Sequence, residues 1–113
     1  MMNDDRPVYI RLREMIAASI LDGVYEDGDP LPSVRVLAAR HGSNPLTVAK
    51  AYQSFQDEGL VIVRRGVGMF VADGASAKLF QQARKTFLEN EWPKVRTQID
   101  RLNLKIEELL DLA

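Results

Sequence analysis

Residues 42–44, Gly-Ser-Asn, are a three-residue connection between two segments with helical periodicity. Gly42 suits the left-handed conformation that ends many helices. Asn44 is a strong N-cap, and Pro45 is favoured at the first helical position because the N–H that it lacks has no intrahelical partner there. Two helices joined by about three residues cross at a steep angle, so this stretch predicts a helix-turn-helix.

The two helices of this predicted unit each carry one apolar face. The first begins after Ser33, whose hydroxyl can cap it, and covers residues 34–41. The second runs from Pro45 to about Glu58. Its inner face is predicted to consist of Val48, Ala51, Tyr52 and Phe55. An earlier amphipathic helix is predicted over residues 8–21.

Residues 60–72, LVIVRRGVGMFVA, contain two apolar, β-branched runs on either side of a glycine-containing turn. This pattern predicts a β-hairpin. Three helices followed by a hairpin indicate a mainly α fold of the winged helix-turn-helix type. The aromatic residues are predicted to lie in its core; they are Tyr9, Tyr25, Tyr52, Phe55 and Phe70.

The remaining residues predict a helical tail. Residues 74–78, Gly-Ala-Ser-Ala-Lys, are small and suggest a flexible boundary, which divides the chain into a winged domain, 1–74, and a tail, 75–113. One tail helix is predicted over residues 78–91 and a second from Trp92-Pro93 onward. In the second, apolar residues recur at steps of three and four, which is typical of a heptad seam. The seam residues are Trp92, Val95, Ile99, Leu102, Ile106 and Leu109.

Charge is distributed unevenly along the chain, whose formal net charge is −1. Residues 30–71 hold five basic and two acidic side chains, a net of +3, whereas residues 1–29 sum to −4. A local basic excess in a helix-turn-helix is typical of proteins that bind nucleic acid.

Composition argues against several other classes of protein. The chain has no cysteine, its N-terminal residues lack the apolar run of a secretory signal, and no apolar stretch approaches the ~18 residues that span a bilayer. These features predict a cytoplasmic protein without a membrane contact. The single histidine, His41, is placed to complement a helix dipole, and no residue pattern predicts an enzyme, a metal site or a cofactor.

The motifs of residues 7–71 resemble those of the GntR family of bacterial transcriptional regulators. They are PVY before the first helix, G-x-x-x-x-G-D-x-L-P-S-x-R-x-L-A at 23–38, LTVAKAY at 46–52, EGL at 58–60 and RRGVGMFV at 64–71. The short tail is similar to that of the YtrA subfamily, whose two C-terminal helices serve dimerisation. The chain departs from many relatives at Pro45 and Ala49, where they carry Arg, and at Met69, where they carry Thr.

The resemblance implies that the second helix of the motif, residues 45–58, reads the major groove and that the hairpin approaches the minor groove. Thr47 and Lys50 are interpreted as DNA contacts rather than solvated residues, whereas Asn44 is interpreted first as a cap. Strand alternation leaves either Arg64 or Arg65 facing DNA, and we expect Arg65. The full predicted DNA-binding set is Ser33, Arg35, Ser43, Asn44, Leu46, Thr47, Lys50, Arg64, Arg65, Gly66 and Gly68.

The tail is expected to form a homodimer, so that two subunits occupy an inverted-repeat operator on double-stranded DNA. The predicted interface comprises Leu79, Phe80, Ala83, Phe87, Trp92, Val95, Ile99, Leu102, Ile106 and Leu109. The function predicted is that of a transcriptional regulator, with repression expected. The alternative is a winged-helix module that docks protein without specific DNA binding. A small-molecule effector is expected in a crevice between tail helices or between subunits, and the alternative is that the protein has no effector.

Overall fold

The computed structural model describes residues 6–112. The predicted order of elements is confirmed, and one compact unit ends at Leu79 while a second begins at Phe80. The elements are α1 (Val8–Leu21), α2 (Val34–His41), α3 (Pro45–Asp57), β1 (Val61–Arg64), β2 (Gly68–Val71), α4 (Ala75–Thr86), a π-helical turn (Phe87–Glu91), α5 (Trp92–Arg101) and α6 (Ile106–Leu110). Between residues 6 and 112, no helix is both long enough and apolar enough to cross a membrane.

The predicted capping residues hold the helix-turn-helix. Ser33 Oγ accepts a hydrogen bond of 3.2 Å from the backbone N–H of Val36, at the start of α2. Gly42 ends α2 with φ at 59°, a left-handed conformation that glycine adopts without steric cost. Asn44 Oδ1 accepts from the N–H of Leu46 at 2.8 Å. Local chemistry therefore defines both helices and the turn between them.

The core of the first unit forms where α1 and α2 both pack against α3. Val48, Ala51 and Phe55 of α3 are 0% exposed, and Tyr52 is 2% exposed, which confirms the predicted inner face. Burying a large apolar side chain stabilises a fold by about 1.5–3 kcal/mol. The rest of this core is Leu12, Ile16, Ile20, Leu31, Leu37, Ala38, Leu60, Val61, Val71, Ala72, Ala75 and Leu79.

The hairpin pairs Val61 with Val71 and Arg64 with Gly68 in an antiparallel register. The acidic loop after α1 covers the outer edge of β2. There the N–H of Gly28 donates to the Val71 carbonyl at 2.8 Å, and the N–H of Leu31 donates to the Met69 carbonyl at 2.9 Å. The loop therefore satisfies backbone groups that an edge strand would otherwise expose.

Residues 74–78, where the sequence suggests a flexible boundary, contain the start of a helix. Gly74 has φ at 83°, and α4 begins at Ala75, which is buried with Leu79 in the first core. The Asp27 carboxylate, from the loop after α1, accepts from the N–H groups of Gly74 and Ser76 at 2.8 and 3.1 Å. It also accepts from Ser76 Oγ at 2.8 Å. A distant carboxylate thus caps α4, and the compact unit extends to Leu79.

The tail differs from the predicted pair of helices in where it breaks. Trp92 is the first residue of α5, as predicted, but no loop precedes it, because the π-helical turn connects α4 directly to α5. The interruption comes later, where Asn103 has φ at 54° and Lys105 is extended. Asn tolerates the left-handed region better than most residues. The prediction of one heptad seam along a single helix from Trp92 to Leu109 was therefore wrong.

Candidate nucleic-acid interface

The outer face of α3 carries three of the predicted DNA-binding residues. Leu46 is 79% exposed, Lys50 is exposed and Thr47 is half-buried. Their spacing brings them to one side of the helix, opposite the buried face. This side presents an apolar group, a hydroxyl and a cation near the N-terminal end of α3.

Lys50 lies over the ring of Tyr9, with its Nζ 4.1 Å from the ring centroid. Tyr9 belongs to the first turn of α1 and is half-buried, so the prediction of a core residue holds only in part. A cation–π contact at an exposed site contributes about 0.5–1 kcal/mol. Tyr9 therefore positions the Lys50 ammonium group, a contact between helices that the sequence pattern did not reveal.

The turn and the start of α2 supply four further residues of the predicted set. Ser43 is half-buried, and its Oγ donates to the His41 carbonyl at 3.4 Å. The oxygen atoms of Ser33 and Asn44 are used as caps, as predicted. Arg35 is exposed in the first turn of α2. Ser43 and Asn44 thus form hydrogen bonds at the turn and Ser33 caps the start of α2, while Arg35 presents its charge to solvent.

The hairpin turn separates the two adjacent arginines. The N–H of Val67 donates to the Arg64 carbonyl at 2.9 Å, and Gly66 has φ at 77°, which suits the third position of a type II turn. Arg64 packs its guanidinium over the Phe70 ring, 5.0 Å from the centroid. Arg65 is exposed at the turn, and within residues 6–112 its side chain has no hydrogen bond or ion pair. Of the two arginines, Arg65 is the one whose guanidinium is available.

Gly68 also adopts a positive φ, 145°, directly opposite Arg64 in the hairpin. A Cβ added to Gly66 or Gly68 would meet no atom within 4 Å. Backbone conformation, rather than lack of space, therefore requires both glycines. Without side chains at these positions, the turn exposes its backbone to a partner.

Acidic side chains are absent from the turn, from the N-terminal half of α3 and from the hairpin. The two acids of residues 30–71 lie at the far end of α3. There Asp57 accepts from Gln53 at 2.9 Å and Glu58 is paired with Arg13. The sequence of the turn, the N-terminal half of α3 and the hairpin thus carries basic residues without acidic ones, and such a local excess of positive charge attracts a polyanion.

Arg13, in α1, is a positioning residue that the sequence interpretation did not identify. Its Nε donates to Ser54 Oγ at 3.2 Å, its guanidinium pairs with Glu58, and its Cζ lies 5.0 Å from the centroid of the Phe55 ring. These contacts join α1 to the C-terminal half of α3. Arg13 thereby helps to hold the helix whose other end carries Lys50.

Two of the predicted interface residues need correction. Leu79 lies in the core of the first unit, and Ile99 is 9% exposed, so neither offers surface to a second subunit. Trp92 and Leu109 are half-buried. The predicted residues that do expose their side chains are Phe80, Ala83, Phe87, Val95, Leu102 and Ile106. Further exposed apolar residues of the tail are Leu88, Leu104, Leu110 and Leu112.

Comparison with known proteins relates this arrangement to a group of regulators. Residues 8–71 match the profile of the family described as "Bacterial regulatory proteins, gntR family". The HTH-type transcriptional repressor YtrA of Bacillus subtilis (strain 168) is 29% identical over 103 residues, which span 91% of this chain and 78% of that protein.

Solved structures extend the similarity to the tail. A GntR family transcriptional regulator from Listeria monocytogenes superposes with a TM-score of 0.76 at 27% identity, covering 96% of this chain and 94% of that one. The DNA-binding domain of AraR, solved in complex with operator ORX1, gives a TM-score of 0.58 at 25% identity. It covers 64% of this chain and 93% of that one.

Proposed function

The chain belongs to the GntR family of bacterial regulatory proteins, and on that premise we propose that it represses transcription as a homodimer on an inverted-repeat operator. Its family and relatives make it a DNA-binding transcriptional regulator, and the relatives are regulators rather than enzymes. Repression is supported by the name of the YtrA repressor, which matches most of this chain. A repressor of bacterial genes acts in the cytoplasm, where the chromosome lies.

The single observation that carries the DNA-binding proposal is the exposed N-terminal face of α3. In a helix-turn-helix, the N-terminal residues of the second helix contact base edges in the major groove. Lys50 suits guanine O6 and N7, Thr47 suits a base edge or a phosphate, and Leu46 suits the methyl group of thymine. The stacking of Lys50 on Tyr9 holds the ammonium group before DNA arrives.

The hairpin and α2 would supply the second set of contacts. We assign Arg65 to the minor groove, because Arg64 packs on Phe70 while Arg65 is exposed at the turn. Gly66 and Gly68 allow the hairpin backbone to approach the DNA closely. Arg35 and Ser33, at the start of α2, are suited to the phosphate backbone, which fixes register without reading sequence.

The homodimer is supported by the exposed apolar residues of the tail. Phe80, Phe87, Val95, Leu102 and Ile106 are 39–64% exposed in the single chain. Covering each with a partner side chain would stabilise the assembly by about 1.5–3 kcal/mol per fully buried residue. A two-fold partner presents the same surface in return, and its symmetry matches an inverted repeat.

Selection of DNA from a pool of random duplexes by the intact chain tests this function. We expect the selected sequences to contain two inverted half-sites, with centres about 10 base pairs or a multiple of that apart. Affinity for the selected duplex should fall steeply with salt, because binding releases condensed counterions. Absent or salt-insensitive binding would instead favour a module that docks protein.

Three variants separate the proposed contacts. Lys50→Ala should weaken specific binding by about 1–3 kcal/mol and relax preference at one position of each half-site. Arg65→Ala should lower the slope of log K against log salt by about two in a dimer, if each copy neutralises one phosphate. Lys94→Ala, an exposed tail cation on α5, is the matched control and should change neither quantity.

A further inference from the structure

A crevice of about 330 Å³ lies within the first unit, between α1, the loop that follows it and α2. Its walls are largely apolar, formed by Ile16, Leu31 and Leu37 together with the rings of Tyr25 and Tyr52. This volume falls at the lower end of the range for small-molecule sites, about 300–1,000 Å³, and such sites combine apolar walls with a few polar groups. The crevice therefore has the size and lining of a site for one small organic molecule.

Arg40 is the one formally charged residue among those that line this crevice. Arg40 and His41, in the last turn of α2, line it, and none of its lining residues is Asp or Glu. In the part of the chain that the structure describes, no carboxylate forms an ion pair with Arg40. An arginine at the end of an apolar crevice can bind a carboxylate through two parallel hydrogen bonds.

Tyr52 and Arg40 line the same crevice. Burial raises the pKa of Tyr52 to about 12, and the Arg40 guanidinium acts in the opposite direction. The neutral Tyr52 hydroxyl donates to the Pro32 carbonyl at 2.7 Å, across the lining of the crevice. The apolar walls and Arg40 thus belong to one crevice, and a single ligand of matching size could contact both.

We propose that this crevice binds a small aromatic carboxylate, with the carboxylate on Arg40 and the ring against Tyr25 and the exposed Met15, above the nearly buried ring of Tyr52. The apolar walls favour the ring, and the absence of acidic lining residues favours an anion. The location differs from the sequence-based expectation, which placed any effector between tail helices or between subunits.

Such a ligand would touch both helices of the helix-turn-helix. Arg40 lies just before the turn at residues 42–44, and Tyr52 lies on the inner face of α3. Occupancy would therefore act on the packing of α3 against α2, and this regulatory consequence rests on the proposed DNA-binding function. Binding itself does not, and it is tested without DNA.

The test is a titration of the ¹⁵N-labelled full chain with 2-naphthoate, followed by amide chemical shifts. A parallel titration uses 2-naphthalenemethanol, which keeps the aromatic body but lacks the charge. We expect 2-naphthoate to bind saturably, to shift the amides around the crevice and to bind more tightly than the alcohol. Arg40→Gln should weaken the binding of 2-naphthoate by about tenfold, because a charge-assisted contact is lost. The same change should leave the affinity for the alcohol unchanged.

Two further variants make the result decisive. Arg11→Gln removes an exposed α1 charge that does not line the crevice, and it should leave both titrations unchanged. Ala18→Leu fills the crevice from an exposed position of α1, so the fold should persist while both compounds bind more weakly. The proposal is overturned if 2-naphthoate gives no saturable shifts, if the acid and the alcohol bind equally, or if Arg40→Gln behaves as Arg11→Gln does.

Discussion

The two compact units of this chain use their apolar residues in opposite ways. The unit that ends at Leu79 buries the inner face of α3 almost completely, with Val48 and Phe55 at 0% exposure. The unit that begins at Phe80 leaves large apolar side chains in solvent, among them Leu102 at 64% and Leu110 at 79%. The first unit can be stabilised by its own core, whereas the second has too few residues to cover itself.

This difference in exposed surface suits the two units to different kinds of partner. The first unit buries its apolar residues against one another and leaves polar and basic residues on its surface. Such a surface suits contact with a polyanion. An apolar surface that remains exposed is typical of a protein–protein interface. Each of the following experiments changes one side of the comparison.

The largest effect is expected from Phe55→Ala in α3. Removing a side chain at 0% exposure should lower the free energy of unfolding by about 3–5 kcal/mol, because the cavity closes only in part. Phe80→Ala is the matched change in the tail, where the ring is 53% exposed. The loss in free energy of unfolding, measured by urea denaturation, should be smaller for Phe80→Ala. It should grow with protein concentration, because this ring is proposed to be covered only when two chains associate. A similar, concentration-independent loss for both variants would contradict the comparison.

The next effect concerns assembly. Leu102→Asp combined with Ile106→Asp should weaken the proposed dimer by at least about 3 kcal/mol, more than about a hundredfold in dissociation constant. Both side chains are exposed in the single chain, so the fold should survive, whereas Ile99 is buried and is unsuitable for this test. Analytical ultracentrifugation measures the association.

The control for assembly adds the same charge elsewhere in the tail. Gln81→Asp with Gln98→Asp changes two exposed polar residues and should leave the association constant nearly unchanged. If the unaltered chain sediments as a monomer at micromolar concentration, the tail surface has another role. In that case, the unit that begins at Phe80 would not need a second copy.

A smaller effect is expected from the buried hydroxyl of Tyr52. Burial raises its pKa from 10.0 to about 12, so the unfolded chain releases this proton at lower pH than the folded chain does. Stability from this group is therefore complete below pH 10 and should be lost as pH rises towards 12, by roughly 2 kcal/mol. Urea denaturation from pH 9 to 12 measures the loss. Tyr52→Phe should remove this part of the pH dependence, and an unchanged profile would show that Tyr52 does not cause it.

The smallest effect is expected where the first unit captures the start of α4. Hydrogen bonds from the backbone and side chain of Ser76, and then from Gly74, lower the pKa of Asp27 below its ordinary value of 3.8. Its contribution is present above that value and is lost as pH falls through the lower, folded-state pKa. Asp27→Asn should therefore flatten the acid limb of stability measured by denaturation below pH 4. Asp73→Asn, an exposed neighbour, is the control, and an equal flattening there would refute the capping role.

Much of the first unit could be predicted because its signals are local. Ser33, Gly42 and Asn44 act on backbone groups within a few residues of themselves, so the sequence alone determined where α2 ends and α3 begins. The buried face of α3 followed from helical periodicity, which is also a local property. The exposed positions of Leu46 and Lys50 followed in turn, since they lie opposite that face.

Contacts between distant residues were decided only by the tertiary structure. Arg13 meets Glu58, and Asp27 meets Gly74 and Ser76, across 45 to 49 positions of the chain. No periodicity encodes such pairs, because each depends on how the helices and loops pack around the core.

The tail also shows what sequence periodicity cannot predict. Its apolar steps of three and four allow one long helix, yet the structure breaks the pattern at Asn103. Periodicity constrains which residues share a face while a helix lasts, but it carries little information about where the helix ends. The sequence by itself therefore determined the helix-turn-helix and its exposed basic residues. The tertiary structure decided the side-chain contacts that position them, the extent of the first core and the apolar surface that the tail leaves open.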